Sequence, residues 1–402
     1  MEWKEVDICQ LCDSVSETYK GNASEVVLIN TSDVLDGKCL NHEYVPNKKL
    51  KGQFKKTFRK GDILYSEIRP ANKRFCFVDF EPKDYIASTK LMVLRAHEDV
   101  DPQYLYQILR SNDTLAQLQM LAESRSGTFP QITYSELSNI MVSLPSQKAQ
   151  KNIVSILSSL DRKIELNNKI NADLEEMAQA IFKNWFVDFE PFKDGKFVDS
   201  ELGMIPEGWK VGRLDEIADV VGGSTPSKAK PEYYTQKGIA WLTPKDLSNH
   251  PAVYTSRGVI DITEEGYNST STKLMPKGTI LFTSRAPIGY ISIAQNDICT
   301  NQGFKSLVPK KAGTCFLYCF LKYVTPEIEN KSTGSTFKEA SGSLMKSLQV
   351  IMPEQKVFED FETIVSPLFA RIESLEKENS RLSLLRDTLL PRLMSGELEV
   401  PE

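Results

Sequence analysis

The sequence has few of the features that build membrane, metal or disulfide sites. No apolar run approaches the roughly 18 residues that a membrane-spanning helix needs, and the opening MEWKEVDICQ is too charged for a signal-peptide core. The three histidines are isolated, and the seven cysteines are odd in number and scattered, as expected for reduced thiols. These absences predict a cytoplasmic protein without a membrane partner or a metal centre.

Sequence signatures of catalysis are missing as well. The chain contains no GxxxxGK[ST] phosphate loop, no GxGxxG after a predicted strand, no HExxH motif and no Asn-Pro-Pro-aromatic tetrad of amino-group DNA methyltransferases. Glu81-Pro82-Lys83 resembles the end of a nuclease carboxylate–lysine motif, but a triplet this short is common by chance. We therefore expect no covalent chemistry and no catalytic residues in this chain.

Length and charge indicate a multidomain protein. At 402 residues the chain is too long for one ordinary core, and its 41% hydrophobic and 26% charged residues are typical of a globular protein. The net charge of −5 is unevenly distributed: residues 1–150 hold 19 basic and 20 acidic groups, whereas residues 355–402 hold 6 and 10. The acidic segments suit protein partners better than phosphates.

Two long segments, residues 151–182 and 356–390, have the apolar spacing of helices that need a partner helix. The apolar positions are Ile153, Leu157, Leu160, Ile164, Leu174, Ala178 and Ile181 in the first segment, and Phe361, Val365, Leu368, Ile372, Leu375, Leu382 and Leu389 in the second. We predict that the two helices pair with each other and that the second stops at Pro391 and Gly396. Two amphipathic helices on separate cores are the alternative.

Asparagines interrupt the apolar seam of both helices. Asn167 and Asn171 lie in the first seam and Asn379 in the second. A buried Asn costs stability but disfavours slipped registers, because a shift leaves its amide unpaired. We therefore expect Asn171 and Asn379 to fix the helix register.

The second half of the chain repeats the first. Asn171 matches Asn379 and Pro145 matches Pro353, both at an offset of 208 (379−171 and 353−145). In the globular parts the offset drifts, and KGDILYSEIRP (60–70) matches KGTILFTSRAP (277–287) at 217 (277−60). Insertions therefore fall within the globular parts, whereas the helices keep a constant offset of 208.

Local signals place several elements of the first globular part. EVVLINTSDVLDGK predicts a strand and a turn at Asp36-Gly37, and Asp101 with Pro102 predicts the start of a helix that continues to Ala122. Between residues 45 and 61 the chain is basic without an acidic residue; the basic residues are Lys48, Lys49, Lys51, Lys55, Lys56, Arg59 and Lys60. This run is either a solvated loop or a phosphate-contacting patch.

Four motifs carry a family resemblance. GGSTPSKAKPEYYTQKGIAWLTPKDL (222–247), SRAPIGY (284–290), NQGFKSL (301–307) and LLPRLMSGELEV (389–400) resemble the specificity subunit of type I restriction–modification systems. The resemblance covers essentially the whole chain. The first half lacks Gly-Gly-Ser-Thr-Pro-Ser and matches through NTSDVLDGK and KGDILYSEIRP instead.

The resemblance implies an α+β fold in which two globular target recognition domains are joined by two long antiparallel coiled-coil helices with an internal pseudo-twofold repeat. The predicted segments are a first recognition domain (1–145), a central long helix that acts as spacer and partner-docking element (146–190), a connector with the second recognition domain (191–353) and a C-terminal long helix (354–402). Because the two globular parts differ in sequence, the expected target is an asymmetric bipartite site in double-stranded DNA.

The resemblance also implies the partners. Two modification subunits, which are adenine methyltransferases and bring S-adenosylmethionine, would dock on the helices, and restriction subunits that use ATP and Mg would join for cleavage. No cofactor is expected in this chain itself. Base flipping would belong to the methyltransferase subunits.

Lysines are expected to contact phosphates, and Arg, Asn and Gln to contact base edges. The candidates are Lys55, Lys56, Arg59, Arg69, Lys73, Arg74 and Thr128 in the first domain, and Thr225, Ser227, Lys228, Tyr233, Lys245, Arg285 and Lys338 in the second. An ordinary surface role is the alternative for each residue. For the whole chain, the alternatives are a coiled-coil adaptor that does not bind DNA and a single-chain nuclease or methyltransferase with a divergent site.

Overall fold

The computed structural model describes residues 3–48, 52–124, 130–285, 287–333 and 338–400. The chain forms two compact units, one of residues 1–163 with 381–402 and the other of residues 164–380. Within the described ranges, no helix has both the length and the apolarity to cross a membrane.

The first unit contains a mixed set of strands and helices. Its strands are β1 (Lys4–Asp7), β2 (Cys12–Val15), β3 (Glu25–Ile29), β4 (Val34–Leu35), β5 (Lys38–Cys39), β6 (Val45–Pro46), β7 (Phe54–Lys56), β8 (Ile63–Ser66), β9 (Phe75–Phe77), β10 (Tyr85–Ser88), β11 (Leu91–Ala96) and β12 (Met141–Leu144). Its helices are α1 (Pro102–Arg110), α2 (Asn112–Glu123), α3 (Tyr134–Ser138), the beginning of α4 (Gln147–Phe186) and the end of α10 (Gln355–Met394).

The second unit has a similar composition. Its strands are β13 (Phe197–Ser200), β14 (Gly203–Pro206), β15 (Lys210–Arg213), β16 (Ala218–Gly222), β17 (Tyr234–Thr235), β18 (Trp241–Leu242), β19 (Tyr254–Thr255), β20 (Asp261–Ile262), β21 (Ile280–Ser284), β22 (Ile288–Ala294), β23 (Cys299–Thr300), β24 (Lys305–Pro309) and β25 (Gln349–Met352). Its helices are the rest of α4, α5 (Leu214–Ile217), α6 (Pro244–Asn249), α7 (Glu264–Asn268), α8 (Thr314–Lys331), α9 (Gly342–Ser347) and most of α10 (Gln355–Met394).

The strand order confirms the internal repeat. The central sheet has the order β2-β11-β8-β9 in the first unit and β16-β24-β21-β22-β19 in the second. Both units also contain a parallel pair, β3 with β10 and β18 with β23. The last strand of each unit pairs antiparallel with an early strand, β12 with β1 and β25 with β15. The two globular bodies therefore share one α+β architecture.

Alternation along the central strand explains why each unit has more than one apolar core. In β8, Ile63 and Tyr65 pack into the cluster that contains the helices, whereas Leu64 packs against β3 and β10. Strand β21 repeats this pattern, with Phe282 in one cluster and Leu281 in the other. Successive side chains of a strand point to opposite faces, so a continuous apolar run is buried on both sides.

The two long helices pair antiparallel within each unit, which confirms their predicted pairing. In the first unit Leu157 of α4 shares a buried cluster with Leu390 and Leu393 of α10. In the second unit Phe182 lies against Phe361, with ring centroids 6.2 Å apart. The prediction that α10 stops at Pro391 is wrong, because the helix continues to Met394.

Helix α10 continues past Pro391 for a simple physical reason. A proline removes one backbone hydrogen bond, and here it does so in the last turn, where Leu390 and Leu393 hold the helix by burial. The helix ends before Gly396, which has φ +75 and supplies the left-handed conformation common after a helix terminus.

Two predicted local signals of the first unit are confirmed. Asp36 (φ 43) and Gly37 (φ 96) form the turn between β4 and β5. The Asp101 carboxylate accepts hydrogen bonds from the backbone N–H groups of Gln103 (2.9 Å) and Tyr104 (3.2 Å) at the start of α1. The predicted helix does not run unbroken to Ala122, because Ser111 ends α1 and caps α2.

Candidate nucleic-acid interface

In strand β7, two adjacent lysines of the predicted basic run differ in their exposure to solvent. Lys55 is exposed, whereas the Lys56 ammonium group donates hydrogen bonds to the carbonyl oxygens of Leu91 (2.8 Å) and Thr89 (3.3 Å). Burial lowers the pKa of Lys56 from its ordinary value. The Lys55 side chain is thus accessible from solvent, while Lys56 fixes β7 to the neighbouring backbone.

Arg59 lies exposed at a turn that Asp62 holds. The Arg59 backbone N–H donates to Asp62 Oδ2 (2.9 Å), and the buried Asp62 carboxylate also accepts two hydrogen bonds of 2.8 Å from the Arg95 guanidinium. Such a bidentate pair is rigid. Of the other predicted residues in this part of the chain, Lys49, Lys51 and Thr128 lie outside the described residues.

The turn after β8 presents Arg69 and Lys73 in an uncommon backbone conformation. Both are exposed and both have left-handed φ angles, 45 for Arg69 and 52 for Lys73. A non-glycine residue held in this region costs on the order of 1 kcal/mol, and such strain concentrates at functional sites. Arg74 differs, because its guanidinium donates to the carbonyl oxygens of Ser32 (3.1 Å) and Val34 (3.4 Å) and so holds the β4–β5 hairpin.

In the second unit, the segment between β16 and β17 carries four of the predicted contacts. Ser227 and Lys228 are exposed, and the Thr225 hydroxyl donates to the Gln302 side chain. The Tyr233 hydroxyl accepts a hydrogen bond of 2.9 Å from the Lys230 ammonium group, which also lies over the Tyr233 ring. The segment thus presents hydroxyl and ammonium groups side by side.

Anchors at the base of this segment explain the glycine and tryptophan of its motif. The Trp241 indole N–H donates to the carbonyl oxygen of Ser224 (3.2 Å), and a Cβ on Gly223 would lie 2.1 Å from the carbonyl oxygen of Asn301. Gly223 is therefore required by close backbone approach. The adjacent Gly222 meets no such neighbour within 4 Å.

Lys245 lies exposed in the first turn of α6, beside a capping box. The Asp246 carboxylate accepts hydrogen bonds of 2.7 Å from both the backbone N–H and the hydroxyl of Thr243. Asp33 caps the matching turn of the first unit, accepting a 2.7 Å hydrogen bond from the Asn30 N–H. The two aspartates of this repeated motif therefore have a structural role.

Arg285 belongs to an ionic cluster that the sequence did not predict, and Lys338 is next in the chain to the carboxylate of that cluster. Glu339 forms an antiparallel bridge with Arg285, and its carboxylate lies 3.7 Å from the Arg285 guanidinium and 3.4 Å from the Lys305 ammonium group. Lys338 is exposed and donates to the carbonyl oxygen of Glu329 (3.3 Å). The cluster brings two cations and a carboxylate together at the end of β21.

The first unit has a counterpart of this cluster. Gln131 forms an antiparallel bridge with Ile68, and its Oε1 accepts a hydrogen bond of 3.4 Å from the Lys90 ammonium group. The Arg69 backbone N–H donates to the carbonyl oxygen of Pro130 (3.1 Å). Gln131 and Glu339 differ by 208 in number (339−131), the offset of the helices, and this equal offset is the signal in the sequence that could have identified the pair.

The helix seam contains an asparagine pair. In the second unit the Asn167 amide donates to Asn379 Oδ1 (2.9 Å) and to Glu378 Oε2 (2.8 Å), while the Asn379 amide donates to Asn168 Oδ1 (2.8 Å). Asn171 is buried, and its Oδ1 has no hydrogen-bond partner among the described residues. Asn379 therefore pairs with Asn167 and Asn168 rather than with Asn171, its sequence counterpart.

Each globular body is attached to the helices by a different polar contact. In the first unit, Asp161 of α4 accepts hydrogen bonds from Arg110 of α1 (2.9 Å) and Arg386 of α10 (2.8 Å). In the second unit, Glu376 of α10 accepts hydrogen bonds from the backbone N–H groups of Val253 (2.7 Å) and Tyr254 (3.0 Å). Desolvation raises the pKa of Glu376 to about 7, against the lowering effect of these two hydrogen bonds.

The cysteines have a structural environment. Cys12 is buried and donates to the Ile8 carbonyl oxygen, and burial raises its pKa to about 12. Cys315 and Cys319 are both buried in the core of the second unit on α8. Within the described ranges, no cluster of His, Cys, Asp and Glu has the arrangement of a metal site.

Comparison with known proteins identifies the family. The model of the type I restriction modification DNA specificity domain matches residues 2–176 and 206–383. The type I restriction enzyme HindI specificity subunit of Haemophilus influenzae is 33% identical over 99% of this chain and 100% of its own length. The MjaIX specificity subunit of Methanocaldococcus jannaschii is 40% identical over 46% of this chain and 44% of its own length.

A solved structure supports the fold. The S subunit of a type I restriction–modification system from M. genitalium superposes with a TM-score of 0.55 at 18% identity, covering 100% of this chain and 97% of that one. Specificity subunits of type I systems are non-catalytic, so the alternative of a single-chain nuclease or methyltransferase is wrong. The duplicated fold, the two matches of the family model and the full-length relative agree: this chain belongs to the type I restriction–modification DNA specificity family, and DNA recognition is the role that this membership gives it.

Proposed function

We propose that this chain binds an asymmetric, bipartite site in double-stranded DNA and positions two adenine methyltransferase subunits on it. The observation that carries the proposal is the duplication of one architecture with two different surfaces. One framework suits one kind of ligand, and different surface residues suit two different sequences. We take residues 1–145 and 191–353 as the two recognition domains.

The predicted contact residues divide by their geometry. Lys55, Arg59 and Lys73 in the first body, and Lys228 and Lys245 in the second, have exposed side chains. Long exposed cations suit phosphate contacts, which supply most of the affinity and its salt dependence. Lys56 and Arg74 hold their own domain together, and we assign them a supporting role.

Exposed apolar residues on the helices support docking of two copies of one partner. Ile156 of α4 and Ile364 of α10 occupy matching repeat positions (364−156 = 208) and are 36% and 47% exposed. Met177 and Leu385 also match (385−177 = 208), at 51% and 46% exposure. Both repeats keep an apolar residue at an exposed position where water would favour a polar one. We therefore propose that one modification subunit covers the exposed apolar helix residues of each unit.

The remaining partners follow from the proposed complex. The methyltransferase subunits bring S-adenosylmethionine, and restriction subunits with ATP and Mg join when DNA is cleaved. The complex would work in the cytoplasm, where the chromosome of a bacterial or archaeal cell lies.

A methylation map of genomic DNA tests the recognition function. We expect a two-part, asymmetric, adenine-methylated motif in cells that express this chain with its modification subunit, and none in cells that lack this chain. Lys55→Glu with Arg59→Glu should lower methylation at every site, whereas the exposed Lys148→Glu on α4 serves as the matched control. A methylation map that is the same in cells with and without this chain refutes the proposal.

The docking proposal has its own test. Met177→Asp and Leu385→Asp should each reduce the number of bound modification subunits from two to one, measured by native mass spectrometry of the purified complex. Lys169→Asp, an exposed change on the same helix as Met177, is the control. Two subunits bound to both variants would show that these residues lie outside the contact.

A further inference from the structure

Gln131 and Glu339 occupy the same place in the two repeats, and each is contacted by a lysine. Ile68 and Arg285 lie at the ends of the equivalent strands β8 and β21, and they bridge Gln131 and Glu339 respectively. The two lysines differ in register: the Glu67 N–H donates to the Lys90 carbonyl oxygen and the equivalent Ser284 N–H donates to that of Gly303, so Lys305 lies two residues further along its strand than Lys90. In both units the lysine ammonium group lies 3.4 Å from the side-chain oxygen of the bridged residue.

Stability alone is a weak reason for these contacts. Lys90 is 50% exposed and contacts a neutral amide, and Glu339 is 42% exposed, although Lys305 is only 17% exposed. An ion pair with an exposed partner contributes about 0 to 1 kcal/mol, because water screens it and ordering two long side chains costs entropy. Because a lysine reaches the equivalent side chain from a different position in each repeat, the cation beside that side chain is better explained by a common anionic ligand.

The difference between the two partners is chemical rather than steric. Gln131 presents an amide, with an NH2 group that donates and a carbonyl oxygen that accepts, whereas an ionised carboxylate such as that of Glu339 only accepts. In the major groove, an amide matches the N6 donor and N7 acceptor of adenine, and a carboxylate matches the N4 donor of cytosine. The same position therefore selects a different base in each repeat.

We infer that Gln131 and Glu339 are equivalent base-contacting residues of the two half-sites, with Gln131 selecting adenine and Glu339 selecting cytosine. Lys90 and Lys305 orient these side chains and contact the adjacent phosphates. Arg285 adds a second cation next to Glu339, at 3.7 Å from its carboxylate. This inference rests on the proposed function, since it presumes that each unit binds one half-site.

Reciprocal exchange of the two side chains tests the inference. Glu339→Gln and Gln131→Glu are placed separately in the full chain, expressed with the modification subunit, and the methylated motif is mapped. Each variant should change the base preference at one position of one half-site by roughly 5- to 150-fold and leave the other half-site unchanged. Glu327→Gln on α8 and Gln103→Glu on α1, both exposed, are the matched controls and should leave the motif unchanged.

Two results overturn the inference. One is an unchanged motif in both variants, and the other is an equal loss of methylation at all sequences, which indicates a phosphate or structural role. If an exchange variant does not accumulate, Glu339→Ala and Gln131→Ala replace it, and they should relax the preference at the same positions. A wild-type chain that produces no motif refutes the proposed function instead, so the two failures are distinguishable.

Discussion

Replacing Asp161 by Asn should loosen the attachment of the first globular body to both long helices. Asp161 is the shared partner of two arginines, at 2.9 Å from Arg110 and 2.8 Å from Arg386. The side chains of these arginines are only 11% and 19% exposed, and that of Asp161 is 30% exposed. Without the carboxylate, two poorly solvated cations would face each other.

The magnitude lies between two limits. Removing one partner of a fully buried ion pair costs about 3 to 5 kcal/mol, and an exposed pair is worth about 0 to 1 kcal/mol. The Asp161 site is partly buried, and Asp387 still lies 2.8 Å from Arg386 in the variant. We therefore expect a loss of roughly 2 to 3 kcal/mol in local stability.

Amide hydrogen exchange is the appropriate assay, because a multidomain chain has no single free energy of unfolding. In the complex with modification subunits, Asp161→Asn should accelerate exchange in α1 and in residues 381–394 by roughly 30- to 150-fold, the factor that corresponds to this free energy. Asp173→Asn, an exposed change on the same helix, is the control. Equal exchange rates in the two variants would refute the reasoning.

Three further changes have defined outcomes. The pKa of Glu376 is raised above the ordinary carboxyl value to about 7. The contribution of Glu376 to stability is therefore present at low pH and is lost as pH rises through about 7. Water at this half-buried site limits the effect to on the order of 1 to 2 kcal/mol. Hydrogen exchange of β19, corrected for intrinsic rates, should therefore accelerate between pH 5 and 8 in the wild type and lose this dependence in Glu376→Gln. Gly223→Ala should expose the segment 222–233 to limited proteolysis, because the added Cβ meets two carbonyl oxygens, whereas Gly222→Ala enters open space and should not; equal cleavage would contradict the packing argument. Deleting one heptad from each long helix should shorten the unread spacer of the methylated motif by about three base pairs. This number follows from rises of about 1.5 Å per helical residue and about 3.4 Å per base pair. An unchanged spacer would contradict the proposed role of the helices.

Much of the fold was predictable because its signals are local or periodic. The four-three spacing predicted the paired helices, and the Asp36-Gly37 and Asp101 signals predicted a turn and a helix start. The sequence was misleading at Pro391, where burial of Leu390 outweighs one lost hydrogen bond. Propensity describes a residue alone, whereas helix ends are also decided by tertiary packing.

The candidate interface was less predictable, because a basic run does not report the direction of its side chains. Lys55 and Lys56 are adjacent in sequence, yet one is exposed and the other donates to backbone carbonyl oxygens. The Lys305–Glu339 contact joins segments 34 residues apart, and no periodicity marks it. Such contacts become visible only when the two repeats are compared in three dimensions.

The difference in residue number between matching positions of the two repeats is constant in the helices and varies in the globular parts, and this has a physical cause. Asn167 pairs with Asn379, and Asp161 pairs with Arg386, so both helices are held in register by specific side chains. One inserted residue would rotate the rest of either helix by about 100° and turn its apolar positions out of the seam. Loops before β8 and β21 absorb insertions at little cost, because they lie at the surface. The globular surfaces can therefore diverge, as Gln131 and Glu339 have, while the helices on which the partner subunits are proposed to dock keep a constant offset of 208 between the repeats.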